Sequence, residues 1–402
     1  MADFADESPN HFAALVMTQL KALGTPEVRY DADEFTLHVD DLEIYLGNIY
    51  RETRELPAVE RTARITRFLS ALRDPATPQD WPSVRAQLRP VLRPVTYGIE
   101  HLAEARPLSR PAFPFINEFV AVDKPESRAI VSRAFLATWG VSADEVFAAA
   151  HENLATMVDP HDSGGNAIVR YVDDGSAYFA SWPLVPGWLA SFRARYGHRR
   201  PVAFMPDTDT LIVVPDVPEL LGRMYKMAEE QYRAAARPLS PQGYTLDGDD
   251  NVVPFDQAGP HDMLPAAHRA RAGLATAEYG TQTQWLNETF EEHYEIPGHD
   301  LEPAYVAAVT FMETTDGPCT ITVWGEGVDY LLPHADYIAF CQNTESGAIE
   351  RLFDVPFHAA AEHTGLTPIP GMDPPRYEIR TWPAPEVLTQ LARSAVTLQP
   401  LA

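Results

Sequence analysis

Arg193, Arg195, His198, Arg199 and Arg200 concentrate positive charge in a chain of 402 residues that holds 31 Lys and Arg against 57 Asp and Glu, a formal charge of −26. Such a run has two uses. At a helix C-terminus the backbone dipole stabilises cations. In so negative a protein it also serves to dock an anionic partner or the protein's own acidic part. Trp188, Phe192 and Tyr196 precede it at i, i+4 and i+8, with Trp182 beside them, a stripe that fits a buried helix face better than a stacking platform. Arg193, Arg195, Arg199, Arg200 and Trp188 are therefore the candidate partner-binding residues.

His293, Glu295, His299 and Asp300 form the one tight cluster of metal-ligand types. Imidazole and carboxylate suit a transition metal, which would activate water for hydrolysis. Their spacing matches no ligand template, and Pro297-Gly298 marks a loop, so a solvated loop is expected and no metal or cofactor is. His261, His268, His334, His358 and His363 lie scattered through the same half.

Other patterns fail at a required position. Asp207-Thr208-Asp209 resembles an aspartate phosphotransferase, but the residues after it run straight into another strand, and Pro and Asp are what turns select. His151-Glu152 begins like a zinc-protease helix, yet the second ligand position is Ala155. Trp324-Gly325-Glu326-Gly327-Val328-Asp329 carries two acids and no Lys, and reads as a hairpin turn, not a phosphate cradle. There is no Gly-x-Ser-x-Gly elbow, and neither Cys319 nor Cys341 has a His nearby in sequence.

Composition sets the wider limits. With 45% apolar residues the chain is of ordinary globular type. The charge disfavours nucleic acid and anionic lipid, and no window approaches the roughly 18 apolar residues of a membrane span. Two cysteines without a disulfide framework, and an acidic start at Met1 to Asn10, predict a cytoplasmic protein. After residue 256 there are 6 Lys and Arg against 20 Asp and Glu, a net −14, so the C-terminal part is the denser anion.

The elements that would position these residues read as α+β: helix-plus-hairpin modules with mixed or antiparallel sheets, followed by a second, smaller α+β domain. Ser8 and Pro9 open a helix with Phe12, Leu15, Val16, Leu20 and Leu23 at helical spacing and Gly24 as its stop. Phe35, Leu37 and Val39 alternate, Asp40-Asp41 interrupt, and Leu42, Ile44 and Leu46 alternate again, predicting a hairpin. A helix over 58–72, a strand over 115–122 and a helix between 127 and 139 follow. Ser142 and Glu145 predict a capping box, with Val141 and Val146 as its staple. Strands are expected at 168–172 and 178–182, a helix at 188–196, a hairpin over 202–214 and a long helix at 220–236. Gly259-Pro260 places a linker at 257–275. Beyond it come a helix at 284–293, strands at 305–312, 319–323, 328–332 and 337–340, and helices at 347–353 and 386–395. The division is 1–256, as one domain or as two modules at about 8–73 and 111–256, then the linker, then 276–402.

Several segments together resemble the YtpQ-like family of bacterial proteins, over about residues 11–256. They are Phe35-Thr36-Leu37-His38-Val39 with Leu46-Gly47-Asn48-Ile49-Tyr50-Arg51-Glu52, Arg61, and Pro114-Phe115-Ile116-Asn117-Glu118-Phe119-Val120-Ala121-Val122-Asp123. Trp139-Gly140-Val141-Ser142, Ala150, Asn153-Leu154 and Leu239-Ser240-Pro241-Gln242-Gly243-Tyr244 continue the series. The resemblance implies a mixed α/β intracellular domain and carries no catalytic residues. The expected function is a non-catalytic module that binds another protein. The alternative is a metal-assisted hydrolase acting near residues 293–300 or in a cleft between the domains.

Overall fold

The computed structural model describes residues 8–22, 28–32, 35–39, 42–54, 56–73, 80–101, 105–123, 128–158, 168–172, 177–294, 296, 298–299, 301–344 and 347–401. The protein is α+β, with helices interleaved among mixed and antiparallel sheets. It divides into two compact units, Met1–Leu88 with Ala121–Ile130, and Arg89–Val120 with Val131–Ala402.

The first unit follows its apolar periodicity. Helix Pro9–Ala22 starts where the Ser8 hydroxyl accepts from the His11 amide at 3.3 Å, and Pro9 takes the first helical position, where no N–H is needed. Thr36–Val39 pairs antiparallel with Leu42–Tyr45, Leu37 opposite Ile44, and Arg29–Asp31 extends the sheet. Helix Ala58–Arg73 completes the core, in which Phe12, Val16, Leu37, Ile44, Ile65 and Leu69 meet. Each such side chain contributes roughly 1.5–3 kcal/mol by leaving water. Leu23, Gly24 and Asp40-Asp41 lie outside the described residues.

In the second unit, a five-stranded sheet runs in the order Val252–Pro254, Gly243–Leu246, Pro201–Phe204, Thr210–Pro215, Val169–Val172. Its central strands are buried at every position, and helix Pro218–Ala234 packs Leu221, Met224 and Tyr225 on Val202, Phe204 and Ile212. Ser142 and Glu145 close the capping box of helix Ala143–Ala155 as the spacing predicts. Two further sheets follow, one ordered Thr310–Thr314, Gly317–Gly325, Tyr337–Asn343, Ile349–Pro356, the other Tyr305–Val306, Tyr330–Pro333, Arg376–Ile379.

Several elements differ from the sequence reading. Residues 264–275, within the stretch read as linker, open a 30-residue helix, Leu264–His293. Its buried positions include Ala267, Ala270, Ala272, Leu274, Ala275, Tyr279 and Leu286, interspersed with Glu278, Gln282 and Thr289, so no large apolar stripe announces it. Residues 178–182 are not a strand: Tyr178 sits at φ 57° and a 3₁₀ helix, Phe179–Leu184, follows. Residues 347–353 are not a helix but the start of strand Ile349–Pro356, antiparallel to Tyr337–Asn343. Trp324 to Asp329 joins strands of two different sheets and is no hairpin turn. Between residues 127 and 139 a short strand, Arg128–Ile130, precedes the helix Ala134–Trp139.

Candidate functional site

The basic run is largely consumed by the protein itself. The Arg193 guanidinium donates to Asp250 at 2.8 Å, and Arg200 pairs with Asp216 at 2.9 Å, reaches the Ala258 carbonyl and lies over the Phe255 ring. Arg195 is half-buried and Arg199 exposed. Trp188 is 3% exposed and packs edge-on to Trp182 and Phe192, so the aromatic stripe is core.

Half of the ligand-type cluster falls on described residues, His293 and His299. His293 is exposed and lies 3.6 Å from Glu292, while Glu295 and Asp300 lie outside the described residues. His299 is held below the ordinary histidine range by burial and by the Arg106 guanidinium. Among the described residues no group of three His, Cys, Asp or Glu is arranged to hold a metal ion. Elsewhere the Asp207 carboxylate accepts from the Asp209 amide at 2.9 Å and from Gln231 at 2.6 Å, and Asp209 pairs with Arg237, which makes the segment a closed turn. His151 meets the buried Glu118 carboxylate at 2.6 Å, beside Arg110 on the same carboxylate at 2.8 Å.

His299 instead lines a cavity of about 410 Å³ in the second unit, with Arg106, Arg133, His101, Trp285 and Asp373. The segments that present the two arginines are paired: the Arg133 amide donates to the Arg106 carbonyl at 3.0 Å, and Pro107 bridges Ser132. Two guanidiniums therefore leave hydrogen-bonded backbone neighbours and enter one space. Neither has a hydrogen-bond or ion-pair partner among the described residues, although acids outnumber bases 57 to 31. Asp373 is the one carboxyl in the lining among the described residues, and burial pushes its protonation above the usual carboxylate range against the pull of Asn117 and Arg106.

Asp373 also lines a second cavity, of about 430 Å³, with Pro111, Pro114, Phe113, Phe115 and Pro375. Phe115 sits at φ 63°, a left-handed conformation that costs a bulky residue about 1 kcal/mol and turns the chain between strands Ser109–Phe113 and Ile116–Asp123. Its ring packs edge-on to Tyr279 at 5.9 Å, and Phe113 packs on Tyr244 at 4.6 Å. The result is an apolar cleft that shares one acid with a cationic cavity. Sequence reasoning missed Arg106, Arg133 and Asp373 because no spacing links them; pairing of two loop ends and the return of the chain at Asp373 bring them together.

Comparison with protein-family models, with curated proteins and with solved structures finds no match to the chain.

Proposed function

We propose that the chain is a cytoplasmic, non-catalytic module that binds another protein, and that an acidic segment of that partner docks where the Arg106–Arg133 cavity meets the aromatic and proline-lined cleft. The observation that carries this reading is the pair of guanidiniums without hydrogen-bond or ion-pair partners among the described residues, in a chain of charge −26. Arg106 is half-buried and Arg133 exposed, so the cost of leaving a cation alone falls on Arg106, and Arg is the side chain best suited to fork onto an anion. Phe113, Phe115 and the prolines beside them supply the apolar surface on which extended segments pack. Cys319 and Cys341, both free and buried, accord with a reducing compartment. No helix among the described residues is long and apolar enough to cross a membrane. The resemblance to the YtpQ-like family belongs to the same proposal, since it covers both arginines. A metal-assisted hydrolase finds less support, because Arg106 beside His299 repels a metal ion as it depresses the imidazole.

The test is capture from the native host with the whole chain and with an Arg106→Glu/Arg133→Glu variant in parallel. A partner held by the first and lost by the second supports the site. A partner held equally by both removes it.

A further inference from the structure

The geometry points to a phosphorylated residue as the group that the Arg106–Arg133 cavity takes, an inference that rests on the docking reading above. Charge balance is the first argument. The arginines stand on backbone neighbours joined by the 3.0 Å bond from the Arg133 amide to the Arg106 carbonyl, so they bring two like charges into one cavity. Asp373, the one carboxyl lining it among the described residues, supplies at most one opposing charge, and its burial favours the neutral form. A carboxylate ligand adds one charge and two oxygens. A phosphomonoester carries roughly 1.5 to 2 negative charges near neutral pH and three terminal oxygens, which answers two guanidinium forks charge for charge.

Space is the second argument. At about 410 Å³ the cavity is too large for an oxyanion alone and leaves room for the side chain that bears it. The adjoining cleft, with Phe113 and Phe115 among four prolines, then receives the residues that follow. A phosphoserine followed by proline fits both halves: the phosphoryl group answers the arginines, and proline packs on aromatic and proline surfaces with little entropy to lose.

His299 provides a spectroscopic signature. Burial and Arg106 together hold its imidazole neutral. A dianion placed between it and the arginines reverses the local field, so the imidazole pKa rises when the site fills.

Calorimetry on the whole chain tests the inference with four probes: a short phosphoserine–proline peptide, its serine and glutamate counterparts, and inorganic phosphate. The phosphopeptide is expected to bind at least about tenfold tighter than the glutamate peptide, and about tenfold to a hundredfold more weakly to Arg106→Gln and to Arg133→Gln, with a rise in the His299 pKa by NMR. Thermal unfolding of both variants should match the wild type, because neither guanidinium has a hydrogen-bond or ion-pair partner to lose among the described residues. Equal affinity for phosphoserine and glutamate peptides overturns the phosphoryl assignment while leaving the docking site in place. Inorganic phosphate binding as tightly as the phosphopeptide keeps the phosphoryl site but overturns the peptide as its bearer. Phosphopeptide binding that neither variant weakens overturns the docking reading itself.

Discussion

The Nε of Arg376 donates to the Oε1 of Gln282 over 2.6 Å, and both residues are wholly buried. The remaining donors of the same guanidinium reach the Ala307 and Leu331 carbonyls, at 2.8 and 2.9 Å, and Thr283, so one cation ties the long helix to two strands without a carboxylate. Burial lowers the Arg376 pKa to about 10, which leaves it charged at neutral pH. Gln282 passes the tie on, its amide donating to the Pro374 carbonyl next to Asp373 at 2.7 Å. The anchor of the fold thus adjoins the candidate site.

Arg376→Met should cost about 3 kcal/mol or more in urea unfolding, because it strands two buried carbonyls and the Gln282 amide oxygen at once. Arg376→Lys should recover only part of this, since an ammonium cannot reproduce the fork. A loss below about 1 kcal/mol in the Met variant would show that the helix is held by its apolar contacts alone.

Glu278 is buried on the same helix, where among the described residues the Thr96 amide and hydroxyl are its hydrogen-bond partners, and burial pushes its pKa up from 4.5 to about 7. A raised folded-state pKa means that the neutral acid is the favoured native form. Its stability contribution is complete below about pH 4.5 and is lost as pH rises through about 7, a difference of about 3 kcal/mol. Glu278→Gln keeps an acceptor for Thr96 and should flatten the decline between pH 5 and 8. Unfolding curves of both proteins across that range measure it, and parallel curves would refute the assignment.

Arg200 and Asp216 make the basic run a structural element. Changing Arg193, Arg195, Arg199 and Arg200 together to Glu should lower stability by about 2 kcal/mol or more, because it sets an acid against the mostly buried Asp216 and another against Asp250. Arg199→Glu alone, at an exposed position, should be close to neutral by thermal unfolding.

Ser142→Ala should cost about 1 kcal/mol, since it removes the acceptor for the Glu145 amide and half of the capping box. This is the kind of feature that a sequence displays openly: Ser142, Glu145, Val146 and Leu154 lie within one helix, and local rules place them. The opening helix, the Leu37–Ile44 hairpin and the strands around Pro206 to Thr210 were legible for the same reason. The helix 264–293 was not, because its buried face uses alanines and the polar Glu278 and Gln282, whose burial depends on Thr96 and Arg376 elsewhere in the chain. Strand 349–356 was hidden likewise, as its first positions are exposed and only pairing with Tyr337–Asn343 fixes it. Arg106, Arg133 and Asp373 belong to this second kind: His299 was visible as a candidate, but its neighbours arrive through tertiary pairing.

The pH response of the site follows from two opposite displacements. Asp373 is pushed above the usual carboxylate range and His299 below the usual imidazole range, both chiefly by burial. As pH falls, Asp373 loses its negative charge and His299 gains a positive one, so each step makes the cavity more cationic. Protonation of either group therefore favours an anionic ligand, until below about pH 6 the phosphate takes up its own proton and loses charge. Asp373→Asn removes the opposing charge and should tighten binding severalfold at pH 8; His299→Gln should remove the imidazole's own contribution on the acid side. Calorimetric titrations at pH 6, 7 and 8 separate the two contributions. An Asp373→Asn protein that binds like wild type at pH 8 would place the phosphate away from Asp373 and detach the cavity from the cleft it shares.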